Sequence, residues 1–375
     1  MKMIQRITTA LAGAAVFAAV STAQAQVNIY ITGSTAFRGN AFRAIVNMYG
    51  ANLTSQNPTS GGSSAGRITW TGTIPALYAA QTVTVHANYS GSVEGIQALV
   101  QNLDDVFFAS ATDGDSTLVT NKDDLAFSDV FQGATAYKSP ALLPTSASAN
   151  EVGVQPFVWV RSAATPSAVS NIGPAQYFTL LANGQDDLSN LTGNPADAGN
   201  PIYLVGRYNL SGTRLTIEKC CKFPPASGLL YAPDTNCNWN LSAGFVSGGG
   251  IVTVFSNNVC TATGTGTPAL TYLGIGDAKN AVAGGAIVIG GDGELPYTGL
   301  ITSPDFSPTK NGLYNFWGYE HLYYKSGASA NVTTFHTNLK SAINTDLGAS
   351  PGNQTAIRLS DMNVSRPSDG GPISP

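Results

Sequence analysis

Short strands that break into Gly/Ser/Thr turns and restart as helices constrain this chain more than any other feature. Val27 to Thr32 alternates as a strand, runs into Gly33-Ser34-Thr35, and continues from Phe37 to Tyr49 with apolar residues at helical spacing. Gln81 to Tyr89 reads as another strand, followed by Ser90-Gly91-Ser92 and a helix from Val93 to Asn102. Leu125 to Ser128 is a third strand, ending at Asp129. Val152 to Val160 is a fourth, Tyr177 to Ala182 suggests a helix, and Ile202 to Val205 is the strand that delivers Arg207. Strands alternating with helices predict an α/β fold with mostly parallel sheets flanked by helices. Sheets of that kind bind ligands beyond the carboxyl ends of their strands, where these turns fall. A helix that starts there aims backbone N–H groups at an anion.

The segment GRYNLSGTRLTIEK, Gly206 to Lys219, adds the donors that a small oxyanion needs. Arg207 supplies a planar fork of N–H groups, Ser211 and Thr213 add hydroxyls, and Gly212 lets the backbone come close enough to donate as well. A helix from Leu215 onward would place its positive end at the same point. The same residues also suit an ordinary turn with a capped helix and a surface arginine, since Ser and Thr are favoured N-caps.

The first 25 residues carry Lys2 and Arg6, an apolar core from Ala10 to Val20, and Ala23-Gln24-Ala25, the pattern of a secretory signal peptide cleaved after Ala25. The apolar run is too short to span a membrane. There is no cysteine at the cleavage site for a lipid anchor, and no membrane insertion is expected after cleavage. The expected location is therefore periplasmic or secreted. Without Lys2 and Arg6 the chain carries 16 basic and 22 acidic residues, a formal net charge of −6, which leaves no footprint for nucleic acid or anionic membrane. An anion site here must work through local donors. About 350 remaining residues exceed one ordinary core and predict two lobes. Four cysteines, Cys220, Cys221, Cys237 and Cys260, cluster together. In an exported chain they read as disulfides, each of the adjacent pair bonded to Cys237 or Cys260, in preference to a metal site that lacks C-x-x-C spacing. The segment around 219–262 looks like an insertion stapled onto a domain, and Pro367 to Pro375 reads as a disordered tail.

Taken together, ITGSTAF, YSGSVEGIQ, LAFSDVF and GRYNLSGTR resemble the anion loops of the type II periplasmic solute-binding protein family, typified by the phosphate-binding component of the phosphate-specific ABC importer. TYLGIGDAKNA is similar to a strand and loop near the end of that family's second lobe, and Asn311 to Tyr324 to its return crossover. The resemblance implies a two-lobed fold with a ligand cleft between lobes: a first lobe over 26–155, a second over 156–310 that carries the insertion, and a return over 311–375 to the first lobe and a C-terminal tail. It implies a ligand shell of Ser34, Thr35 and Ala36, of Ser92, of Ser128 with Asp129, and of Arg207, Ser211, Gly212 and Thr213. It also implies phosphate or a similar oxyanion as ligand and an ABC importer membrane component as partner. A carboxylate such as Asp129 repels fully ionised sulfate and accepts a hydrogen bond from hydrogen phosphate, which favours the latter.

Catalysis finds little support. His86, His321 and His336 lie near no Ser or Cys motif, and no H-E-x-x-H, G-x-S-x-G or Walker pattern occurs. Paired acids such as Asp104-Asp105, Asp123-Asp124 and Asp186-Asp187 read as solvated faces or turns. No enzyme activity, metal or cofactor is expected. The leading reading is a solute-binding protein that closes two lobes around a phosphate-like oxyanion for uptake, with hinges near Val152 to Val160 and Gly312 to Tyr319. The alternative is a binding-protein fold reused as an extracellular surface, adhesion or assembly protein.

Overall fold

A single twelve-stranded sheet runs through both lobes of the computed structural model, which describes residues 26–79, 81–256, 266–349 and 355–375. The expected signal peptide and Cys260 lie outside these residues. Along the sheet the strands run Gln185–Asp187, Pro201–Leu204, Ala269–Gly274, Glu151–Arg161, Trp317–Tyr324, Leu125–Ser128, Val27–Gly33, Thr82–Asn88, Arg67–Thr73 and Leu53–Asn57. Ile287–Gly291 and Asn171–Ile172 attach beside Glu151–Arg161. Val27–Gly33 pairs in parallel with Thr82–Asn88 on one side and Leu125–Ser128 on the other. Their carboxyl ends therefore share one rim, and the turns that leave it meet. Pro201–Leu204 and Ala269–Gly274 form the matching parallel pair of the second lobe, and antiparallel strands extend and join the two centres.

Glu151–Arg161 belongs to both lobes. Its first half pairs antiparallel with the strand Trp317–Tyr324, and its second half with Leu270–Gly274 on one edge and Ile287–Ile289 on the other. Residues 152–160 are all buried, as expected of an apolar run covered on both faces. Beyond Trp317–Tyr324 the chain forms the helix Ala330–Ala349. Its Phe335, Leu339 and Ile343 pack into the core built by Ile31, Val85 and Phe127. Val158, Leu273 and Phe255, and separately Trp159, Ile202 and Tyr272, anchor the cores of the second lobe. Among the described residues no helix is long and apolar enough to cross a membrane.

Three expectations change. The helix expected from Leu215 begins earlier, at Gly212, with Ser211 as its N-cap accepting from the Arg214 N–H at 3.4 Å. The expected disulfides do not form among the described residues: Cys220, Cys221 and Cys237 are free thiols. Burial pushes the Cys220 thiol up to about 11 and the Cys221 thiol higher still. The insertion is held instead by packing. It forms a hairpin of Tyr231–Pro233 with Trp239–Leu241, and the Trp239 ring stacks on Tyr203 at 4.5 Å before the helix Gly248–Ser256 begins.

The tail is also ordered. Arg366, just before it, lies 3.8 Å from the Trp317 ring centroid and donates to the carbonyls of Trp317 and Asn315, while Asp369 accepts from the Phe131 N–H. Two buried charged anchors fix a segment whose Pro, Gly and Ser content predicts disorder.

Asp123 departs from the solvated face expected of it. It is 2 % exposed, neither carboxyl oxygen has a partner, and burial together with Asp105 and Asp124 pushes its pKa from 3.8 up to about 9. The folded chain thus holds a proton that the unfolded chain has released, and stability falls as pH rises through that window. Asp123→Asn should raise the melting temperature at about pH 8 and leave it nearly unchanged at about pH 4. Equal melting shifts at both pH values would contradict a protonated Asp123.

Candidate anion-binding site

Three helices start at the point where the turns converge. Arg38–Tyr49 follows Ser34-Thr35-Ala36, Ser92–Gln101 follows Ser90-Gly91, and Gly212–Cys220 follows the arginine turn. Ser34, Thr35, Ser92, Ser128, Asp129, Arg207, Ser211 and Thr213 are all buried. Among the described residues the N–H groups of Thr35, Ala36, Ser92, Gly212 and Thr213 make no hydrogen bond. Ser92, Gly212 and Thr213 are the orphan donors that a helix N-terminus leaves behind, while Thr35 and Ala36 lie in the turn ahead of Phe37, the N-cap of Arg38–Tyr49. Gly212 is required by crowding: a Cβ there would fall onto Asp129 Oδ1 and lie 2.7 Å from Ser92 Cβ.

The hydroxyls divide by task. Ser34 Oγ donates to Glu320 Oε2 at 3.1 Å and accepts from the Phe37 N–H, so its bonds hold the first turn in shape. Ser128 turns onto its own strand end, donating to the Val130 carbonyl at 2.9 Å. Thr213 donates to Asp129 Oδ2 at 3.3 Å, and Ser92 beside that carboxylate draws its pKa down. Thr35 and Ala36 line a cavity of about 270 Å³ whose walls include Arg38, Arg43, Asp277 and Lys279.

Arg207 is clamped by the insertion. Its Nε donates to the Phe245 carbonyl at 3.1 Å and its Nη2 to the Val246 carbonyl at 2.6 Å. The backbone of the same segment exchanges hydrogen bonds with Gly206 and Tyr208. Burial lowers the guanidinium's pKa, opposed by Asp277 and Asp129. Asp277, in the first turn of Ile275–Ala283, pairs with Arg38 Nη2 at 2.9 Å and is also stabilised by Arg207. Asp129 is pushed up by burial and drawn back by Ser92, Arg207 and Thr213, while its Oδ1 has no partner. Arg38, Asp277, Arg207 and Asp129 thus form an alternating series of buried charges that passes between the lobes.

The lobes touch directly beside this series. The Leu210 carbonyl accepts from the N–H groups of Val93 and Glu94 at 3.1 and 3.3 Å. Tyr208 donates to the Ser90 carbonyl at 3.0 Å and also bonds Glu94. Glu94, a misfit for an anion turn, is therefore turned toward a tyrosine hydroxyl of the other lobe.

Sequence reasoning missed Arg38, Asp277, Glu320 and the two insertion carbonyls. A single acid inside the aromatic run WGYEHLYY was the available signal for Glu320. Backbone carbonyls leave none. Gly212→Ala should displace Asp129 and destabilise the protein by about 1–3 kcal/mol, the usual cost of overpacking. Urea unfolding measures it, and an unchanged midpoint would mean that the turn does not pack as described.

No protein-family model matches the chain, and no curated protein matches it significantly. Solved structures do. A candidate phosphate ABC transporter substrate-binding protein from Clostridium perfringens, determined with bound phosphate, is similar over 88% of this chain and 99% of its own, at 14% identity and a TM-score of 0.53. An ABC-type phosphate transport receptor from Vibrio cholerae aligns over 84% and 93%, at 15% identity and a TM-score of 0.45. With its sheet order, its shared strand and its rim of turns, the chain has the two-lobed α/β fold of the type II periplasmic binding proteins.

Proposed function

We propose that this protein is a non-enzymatic solute-binding protein that holds a phosphate-like oxyanion between its lobes, exported by the Met1–Ala25 segment and serving an ABC importer. The observation that carries this reading is a buried cluster of turns, joined by the Gly91 N–H to the Gly33 carbonyl and by the Val93 N–H to the Leu210 carbonyl, that leaves the N–H groups of Thr35, Ala36, Ser92, Gly212 and Thr213 without a hydrogen bond. An oxyanion has the acceptor oxygens that such donors lack, and dehydrating it is costly unless many donors replace its water. The bound phosphate of the Clostridium perfringens neighbour supports the same ligand class.

Asp129 supplies the discrimination. Its unpartnered Oδ1 is an acceptor in a shell otherwise made of donors. A ligand that keeps a proton satisfies it; sulfate brings none and adds repulsion. Thr213, which bonds the carboxylate, and Ser92 next to it hold it beside the donors.

Isothermal titration of the mature protein with phosphate and with sulfate tests the reading. Phosphate should bind, and sulfate should bind far more weakly. Arg207→Ala should weaken phosphate binding about 30-fold or more, matching a loss of ~2 kcal/mol or greater for a buried charge partner. Asp129→Asn should narrow the gap between phosphate and sulfate. Folded wild type that binds neither anion would refute the proposal.

A further inference from the structure

Glu320 is the buried acid that none of the anion turns supplies. It sits on Trp317–Tyr324, the strand that lies between Leu125–Ser128 and Glu151–Arg161, and is 0 % exposed. Its Oε2 accepts from Ser34 Oγ at 3.1 Å, and its Oε1 has no partner. Asp129, from the end of the neighbouring strand, is the charged group that acts on it. Tyr89, from the end of Thr82–Asn88, and Tyr323, from its own strand, also lie within its influence. Among the described residues Glu320 has no ion-pair partner. Burial, reinforced by Asp129, pushes its pKa well above the usual carboxyl range.

Charge balance gives this acid a consequence for the ligand. Arg38 and Arg207 are matched by Asp277 and Asp129, so the buried series is neutral before any anion arrives. An ionised Glu320 would make the site negative. Two carboxylates sharing a dry site with one further anion is the arrangement that like-charge repulsion forbids. A neutral acid removes that repulsion, keeps its bond from Ser34, and carries a hydroxyl that can donate.

We propose that Glu320 is a specificity-determining residue of the oxyanion site, which as a neutral carboxylic acid holds the Ser34 turn and makes anion binding depend on keeping its proton. This rests on the oxyanion reading above, and deepens it. Asp129 is the acceptor of the pair and Glu320 the proton holder, so the site distinguishes its two carboxyl groups by environment alone. Phosphate affinity is then insensitive to Glu320 while the acid is neutral, and falls once pH is high enough to ionise it in the free protein. The sign follows from linkage: the bound anion favours the protonated acid, so losing that proton must weaken binding.

Glu320→Gln preserves shape and the acceptor for Ser34 but cannot ionise, so it isolates this effect. Two readouts separate the inference from the reading beneath it. First, the infrared spectrum of ligand-free Asp123→Asn protein at neutral pH, in which Asp123 adds no acid band, should contain a protonated-carboxylic-acid C=O band that a further Glu320→Gln removes and a further Asp129→Asn retains. Second, phosphate titrations across pH on wild type and Glu320→Gln should give a wild-type to variant affinity ratio that is flat at low pH and falls in the alkaline range, by up to about tenfold per pH unit. An acid band in the Asp123→Asn background that Glu320→Gln leaves unchanged, or no such band, or a ratio that stays constant across pH while the variant merely melts earlier, overturns the proposal and leaves Glu320 a packing residue. If the band is present but wild type binds no phosphate at any pH, the oxyanion reading fails, and the ligand-linked part of this inference falls with it.

Discussion

Everything at the centre of this protein depends on the alternating charges Arg38, Asp277, Arg207 and Asp129. Each is taken out of water, a cost of several kcal/mol per ion that only close opposite charges and hydrogen bonds offset. Arg38 and Asp129 come from the first lobe and Asp277 and Arg207 from the second, and the Arg38–Asp277 ion pair runs from one lobe to the other. The Arg38–Asp277 pair exists only while the lobes are in contact. The buried hydroxyls follow from the same constraint: Thr213 and Ser92 serve Asp129, and Ser34 serves Glu320.

The insertion answers a question that its sequence leaves open. Its Phe245 and Val246 carbonyls fix the plane of Arg207, and the start of its helix at Gly248 packs so closely against Asp277 that a Cβ would strike the carboxylate. It thereby supports two of the four charges without contributing a charged side chain. Because backbone polar groups hold the arginine, its long side chain is already ordered, and under the proposed anion-binding reading the ligand is spared that entropy cost.

What was legible in the sequence was what carries a period or a special residue. The strands Val27–Gly33, Thr82–Asn88 and Leu125–Ser128 alternate or run apolar, the turns contain the glycines that close approach demands, and the Ser-Gly-Thr of the arginine turn sits where a helix does begin. The rest was hidden for physical reasons. Asp277 and Arg38 pair across 239 positions, a separation no local pattern reports. Glu320 is one acid in an aromatic strand. Cysteine clustering in a chain with an export signal argued for disulfides, yet the structure leaves three free thiols and holds the segment by ring stacking and backbone bonds. The tail's composition argued for disorder, and Arg366 and Asp369 outweigh it.

The strand Glu151–Arg161 has a mechanical consequence. Because its two halves are hydrogen-bonded into the two lobes, the lobes are not beads on a flexible link. Any opening must be absorbed as a change in the twist of a continuous ladder, whose preferred hand opposes large excursions. A strand shared in this way resists as a torsion spring does, so the width of any gap between the lobes is bounded by how far one β-strand can be wound.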